Sequence, residues 1–137
     1  MKQAFVDTNI LIDLLADRPP FSKFAIELFN RAEKKRVKLY TSSHSIATTH
    51  YLLKKYVEEN VLRELLTSLL EYIEVIAIDL TIIKKSLLSK HKDFEDAIQI
   101  FAANTIKDLD FIVTRNLKDF KDTGLTVLPP DEVLNFL

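Results

Sequence analysis

Phe5-Val6-Asp7-Thr8-Asn9-Ile10-Leu11-Ile12-Asp13 is the stretch on which the reading of this chain turns. Gln3-Ala4-Phe5-Val6 is a short apolar run that stops at an acid, as a buried strand does when it delivers the chain to a polar turn. Asp7-Thr8-Asn9 is rich in helix-capping side chains, and Ile10-Leu11-Ile12-Asp13-Leu14-Leu15 then resumes a helical pattern. Pro19-Pro20 closes that helix, because a residue before proline avoids the α region.

Working outward, a second helix is expected from Ser22 to Arg36, with Phe24, Ile26, Leu28 and Phe29 as its apolar residues. Val37-Lys38-Leu39-Tyr40-Thr41 alternates as a strand does, and Ser42-Ser43 can cap a helix reaching Tyr56. From Asn60 to Tyr72, Val61, Leu62, Leu65, Leu66, Leu69, Leu70 and Ile73 make the stripe of an amphipathic helix. Glu74–Ile78 reads as a strand or an extended link. Asp79 can cap a helix to Ser89, and Asp93 another through Ile106 whose apolar face is Phe94, Ala97, Ile98, Phe101 and Ala102. Phe111–Thr114 and Thr126–Leu128 are short strands, and Pro129-Pro130-Asp131 opens a terminal helix. Strands separated by helices imply an α/β domain with a mostly parallel sheet covered on its faces. Residues 1–137 fit one such domain.

The balance of residues is that of a soluble globular chain: 47% hydrophobic, 28% charged and a formal net charge of −1. The absence of cysteine excludes a disulfide framework and any thiolate metal site. A single glycine, Gly124, excludes the glycine-rich phosphate loops of nucleotide-binding folds, which need several close backbone approaches. No apolar run approaches the ~20 residues of a membrane span. The N-terminus lacks an apolar signal region, so the expected compartment is the cytoplasm. The basic pairs and triplets, such as Lys34-Lys35-Arg36 and Lys90-His91-Lys92, read individually as solvated helix faces.

In a parallel α/β sheet, ligands lie beyond the carboxyl ends of the strands. That rule singles out Asp7 after the first strand, Thr114-Arg115-Asn116 with Asp119 after a later one, and Asp96 in the first turn of a long helix. Two carboxylates ~4 Å apart repel by ~4 kcal/mol at an effective dielectric near 20. Converging acids therefore require a cation or a shared proton. Oxygen-only ligands favour Mg²⁺ or Mn²⁺ over Zn²⁺. Each acid also has a plain structural use. Asp7 can cap the following turn, Asp93-x-x-Asp96 imitates a capping box, and Asp119 suits a surface turn. His44, His50 and His91 lack the spacing of a zinc site, and of the three His50 is placed nearest the crevice.

Three segments resemble the PIN domain family of VapC-type toxin ribonucleases. These are Phe5–Asp13, then Asp93-Phe94-Glu95-Asp96-Ala97-Ile98-Gln99, then Ile112-Val113-Thr114-Arg115-Asn116-Leu117-Lys118-Asp119-Phe120. They stand in the family's order over nearly the whole chain. The resemblance implies a PIN-like three-layer domain with four to five strands, acting as a Mg²⁺- or Mn²⁺-dependent endoribonuclease. It makes Asp7, Asp96 and Asp119 the metal-binding and catalytic acids, with Asn9, Thr114 and Asn116 supporting them. Arg115 would hold the RNA backbone. The chain departs from the family at Thr48, where most active members carry a glutamate. That departure leaves open a non-cutting RNA- or protein-binding module; for the active enzyme, Glu95 is the substitute acid if its helix turns it inward. The family association also implies a homodimer and an antitoxin protein as partner. A phosphorylation-receiver domain fits less well, since only one acid follows the first strand.

Overall fold

The computed structural model describes residues 1–137. Strands β1 (Lys2–Val6), β2 (Val37–Ser42), β3 (Ile73–Ile76), β4 (Phe111–Val113) and β5 (Thr126–Leu128) form one sheet in the order β3-β2-β1-β4-β5. Every neighbouring pair is parallel. The helices are α1 (Thr8–Leu15), α2 (Ser22–Glu33), α3 (Ser43–Leu53), α4 (Glu59–Leu69), α5 (Leu80–Leu88), α6 (Phe94–Asn104) and α7 (Pro130–Val133). The α/β class, the element order and the three layers agree with the sequence reading; the segment near Glu74 is a strand.

Central β1 shows how the layers arise. Ala4, Phe5 and Val6 are fully buried, and strand alternation sends Ala4 and Val6 to one face and Phe5 to the other. On the first face they join Leu39, Val113 and the apolar residues of α1 to α4, such as Leu11, Leu28 and Leu62. On the second, Phe5, Tyr40 and Ile112 meet Ile82 of α5, Ile98 and Ala102 of α6, and Phe120. Each such fully buried large side chain contributes ~1.5–3 kcal/mol relative to exposure. No helix of the structure is long and apolar enough to cross a membrane.

Several expected boundaries shift for local reasons. Helix α2 stops at Glu33 rather than Arg36, because Lys35 takes a left-handed backbone with φ 59°. Helix α3 ends at Leu53, three residues before Tyr56, and Glu58 then caps α4 by accepting from the Val61 amide. Only Leu62, Leu66 and Leu69 of the α4 stripe are buried, while Val61 and Leu70 face outward. In α6 the buried arc differs from the expected face: Phe94 is exposed, whereas Gln99, Ile100 and Ala103 are buried. Helix α6 packs against α5, β2 and the turn after β4 at once, so its covered arc is wider than a one-sided stripe.

Strand order places the functional end. The chain winds from β1 outward through β2 to β3, then crosses back to add β4 on the other side of β1. The border between β1 and β4 is therefore the topological switch point, where parallel sheets open a crevice beyond their carboxyl ends. Asp7 and Thr114 are the first residues after those two strands, and the Asp7 amide still donates to the Val113 carbonyl at 2.9 Å.

Candidate functional site

Asp7 sits at the floor of this crevice and is 7% exposed. Its Oδ1 accepts from the Thr8 amide at 2.8 Å and from Gln99 Nε2 at 3.2 Å. Its Oδ2 accepts from Thr114 Oγ1 at 2.9 Å and from Asn9 Nδ2 at 3.3 Å. The carboxylate is thus the N-cap of α1 and also the centre of a wider network, so the plain capping reading covers only part of its environment. Burial pushes the Asp7 carboxyl above the usual range; hydrogen bonds from Gln99, Thr114 and Thr8 pull it back, and the negative charge of Asp119 pushes it further up.

Gln99, which closes the second family-like segment but is given no role there, organises one side of that network. Its amide nitrogen reaches Asp7 and Ser45 Oγ, and its carbonyl oxygen accepts from Ser42 Oγ. Ser45 Oγ in turn lies 2.9 Å from Thr8 Oγ1, and Ser42 caps α3 by accepting from the Ser45 amide at 3.0 Å. Ser42, Ser45 and Gln99 are all buried, so these contacts replace water and leave the amide a single orientation. The signal available in the sequence was a lone glutamine among the apolar residues Ala97 to Ala103.

Thr114 does the same work from the β4 side. It donates to Asp7 and accepts from the Asn116 amide at 3.0 Å. Asn9, Thr48, Glu95, Asp96 and Asn116 all line the crevice with Asp7, in a cavity of about 220 Å³. Asp119 is exposed and lines an adjoining groove that shares Asp96 with the crevice. Its charge bears on both Asp7 and Asp96. Side chains from three parts of the chain therefore meet at one end of the sheet. No group of three acidic or histidine side chains is closed tightly enough to share one ion.

Asp96 carries the clearest electrostatic signature. It occupies the first turn of α6, and its amide donates to Asp93 Oδ1 at 3.0 Å, so Asp93 is the cap that the sequence indicated. Partial burial, followed by the charges of Asp93, Asp119, Asp7 and Glu95, pushes its carboxyl up to about 7. Burial is the larger cause, and the uncompensated acids around it add to the same direction.

The histidines fall otherwise than expected. His50 turns away to Glu59, 2.8 Å from Oε2, and ties α3 to α4. His44 is the crevice histidine, with Nε2 3.3 Å from Thr48 Oγ1 and 3.5 Å from Glu95 Oε1. Helical spacing explains the exchange: His44 and Thr48 stand four residues apart on one face, while His50 lies roughly 200° around from Thr48.

Arg115 is also placed differently from the expectation that it holds RNA. Its Nε and Nη2 grip both oxygens of Asp13, at 2.7 and 3.1 Å, and its guanidinium stacks 3.9 Å over the Phe21 ring. Asp13 is 1% exposed and also receives Arg18 at 2.7 Å. A buried carboxylate demands such compensation, so this arginine fastens α1, through Asp13, and the Phe21 ring before α2 to the end of β4. An acid in the middle of the apolar helix Ile10–Leu15 was the available hint.

The donor set suits a hard cation. Asp7 and Asp96 offer carboxylate oxygens, and Asn9 Oδ1 is buried in the crevice without any hydrogen-bond partner. Mg²⁺ commonly binds through one or two carboxylates and keeps several waters, so a closed cage of three acids is not needed.

Comparison with known proteins gives a consistent picture. A family model described as "PIN domain" matches residues 3–118. A toxin–antitoxin complex from Klebsiella pneumoniae contains a chain 29% identical, with a TM-score of 0.66 over 93% of this chain and 97% of that one. VapBC2 from Rickettsia felis, bound to a DNA fragment from its promoter, matches with TM-score 0.68 and 19% identity over 93% and 98%. Mycobacterium tuberculosis VapC20, a sarcin–ricin-loop cleaving toxin, matches with TM-score 0.68 and 20% identity over 90% and 96%. A search of curated proteins finds no match.

Proposed function

Since the chain belongs to the PIN domain family, we propose that it is a metal-dependent endoribonuclease and the toxin of a toxin–antitoxin pair. The observation that carries this reading is the buried Asp7 carboxylate at the β1–β4 switch point, facing the raised carboxyl of Asp96 and the unpartnered oxygen of Asn9. Asp7 and Asp96 would hold Mg²⁺ or Mn²⁺, with Asp119 at the edge and Asn9 and Asn116 beside them. When bound, the cation would supply positive charge against the phosphate oxygens and acidify water.

The protein's own groups set the rest. Thr114, Gln99 and the Thr8 amide lock the Asp7 carboxylate in one rotamer, so no reorganisation is needed when substrate arrives. Without a cation the Asp96 carboxyl lies near 7; a bound cation would draw it back toward the carboxylate form, in which Asp96, or Asp119, would orient the attacking water. His44, held by Thr48 and Glu95, closes the α3 side of the crevice beside Thr48, the position where a glutamate is usual in the family. The toxin reading also gives the chain an antitoxin partner, for which the apolar groove of Ile12, Leu15, Leu52, Tyr56 and Val57 is the natural seat. A homodimer and a cytoplasmic location belong to the same reading; light scattering would test the first.

Cleavage of labelled single-stranded RNA with and without Mg²⁺ or Mn²⁺ tests the proposal, with Asp7→Asn as control. Metal-dependent cutting that the variant loses is the expected result. Equal cutting by both proteins would remove the enzyme claim. A second reading, a PIN domain that binds RNA or protein without cutting, is favoured by one observation: the Thr48 hydroxyl brings no charge and is engaged with His44. RNA retained by the parent but never cleaved under any divalent metal would select that reading.

A further inference from the structure

The expected RNA grip, Arg115, is committed to Asp13, so a nuclease reading must find its phosphate contacts elsewhere. The groove that shares Asp96 with the crevice has a volume of about 440 Å³ and no hydrophobic side chain in its lining. Lys90 and Lys92 line one wall, from the link between α5 and α6. Lys118 and Lys121 line the other, from the turn after β4. All four are exposed, and none enters an ion pair, although aspartates share the groove.

Both walls are pinned from beneath. Phe120, 2% exposed, anchors the short helical turn Leu117–Phe120 to the core that α5 and α6 share. On the other wall the His91 ring packs edge-on against Phe101 at 6.1 Å, and Asp93 caps α6. The lysines thus stand on fixed backbone while their ammonium groups stay free. Of the groove's acids, Asp96 and Asp119 belong with Asp7 to the acidic centre that the nuclease reading gives to a cation, while Asp93 and Asp122 keep their charge. With one divalent cation on that centre, the four lysines still outweigh Asp93, Asp122 and the single carboxylate charge left over. The one aromatic ring in the lining, His91, is engaged edge-on with Phe101, so what the groove chiefly offers a nucleic acid is charge for phosphates.

We propose that this groove is the path of the RNA strand beside the cleavage crevice, with Lys90, Lys92, Lys118 and Lys121 contacting successive backbone phosphates. The proposal rests on the nuclease reading and adds the residues that hold its substrate. It makes the grip sequence-tolerant, so that any preference among RNAs arises within the crevice.

The test is RNA affinity as a function of salt. Fluorescence anisotropy of end-labelled U-rich and A-rich single strands is measured against the parent protein at fixed Ca²⁺, a hard cation that takes the same oxygen ligands in place of Mg²⁺, over a series of KCl concentrations. The comparison adds Lys90→Gln/Lys92→Gln/Lys118→Gln/Lys121→Gln in the same background. A control carries Lys34→Gln/Lys35→Gln, at the opposite end of the strands. Each phosphate contact on a single strand contributes about 0.7 to the slope of log K against log salt, so the quadruple variant should lose up to about 2.8. The loss should be equal on both strands, with the control unchanged and the circular-dichroism melting curve preserved. An unchanged slope in the quadruple variant, with the parent still binding, overturns the groove alone. Loss on one strand only overturns the backbone assignment. No binding by any of the proteins overturns the groove and the nuclease reading together.

Discussion

Replacing Asp96 by Asn in metal-free buffer should stabilise the protein at alkaline pH. The carboxyl is carried from its ordinary 3.8 to about 7 by burial and by Asp93, Asp119, Asp7 and Glu95. A group raised in the folded state contributes its stability below the unfolded value and loses it as pH climbs through the folded one. The parent should therefore weaken between about pH 4 and pH 7. Taken whole, that displacement amounts to about 4 kcal/mol, but Asp96 is partly open to water, and screening reduces it to about 1–2 kcal/mol. The substitution also gives up a charge in the first turn of α6, where the helix dipole favours an anion by about 0.3–1 kcal/mol. The net gain is about 1 kcal/mol at pH 8, or roughly 3–5 °C in Tm for a domain of this size. Thermal melts followed by circular dichroism in EDTA, from pH 5 to 8.5, would read it. The parent should lose stability across that range and the variant should lose less, with saturating Mg²⁺ restoring the parent. A variant less stable than the parent at pH 8, or two parallel pH profiles, would refute the argument that these acids repel one another.

Other substitutions separate the roles argued above. Arg115→Ala leaves the buried Asp13 with Arg18 alone. It should cost about 2–3 kcal/mol in urea unfolding, with RNA affinity of the folded protein essentially kept; an affinity loss without destabilisation would return Arg115 to the RNA. Gln99→Leu removes the donor to Asp7 and the acceptor of Ser42. A cost of about 1–3 kcal/mol is expected, together with weaker Mg²⁺ stabilisation in thermal melts; unaltered Mg²⁺ response would reduce Gln99 to core packing. Thr48→Glu adds a carboxylate to the crevice and should lower metal-free stability by about 1 kcal/mol. The Mg²⁺ midpoint of stabilisation should move to lower concentration, and an unmoved midpoint would mean that position 48 does not face the cation.

The layout of the sheet was open to sequence reading because each strand is a short apolar run beside a capping residue. Asp7, Ser42, Asp79 and Asp93 all cap the helices that the sequence assigned to them. The neighbourhood of Asp7, Asn9, Thr114 and Asn116 was also legible, because strand ends at a parallel switch point converge by topology. What lay hidden were partnerships that depend on side-chain reach across elements. The choice of Arg115 for Asp13 joins residues 102 positions apart and leaves no periodic trace. Gln99 and Ser45 are 54 apart, and each alone is an ordinary polar residue. The exchange of His50 for His44 at the crevice turned on which face of α3 meets the sheet's end, and that is set by packing across elements rather than by the helix's own bounds. Groups such as Lys90 and Lys118 became a groove only when the α5–α6 link and the turn after β4 lay side by side.

Counting Mn²⁺ ions by electron paramagnetic resonance, in parent and Asp7→Asn protein at neutral pH, measures most directly whether the gathered acids form a cation site. At least one ion per chain, released by the substitution and displaced by excess Mg²⁺, is the expected result. Identical Mn²⁺ occupancy in the two proteins, or none in either, would contradict the account at its root.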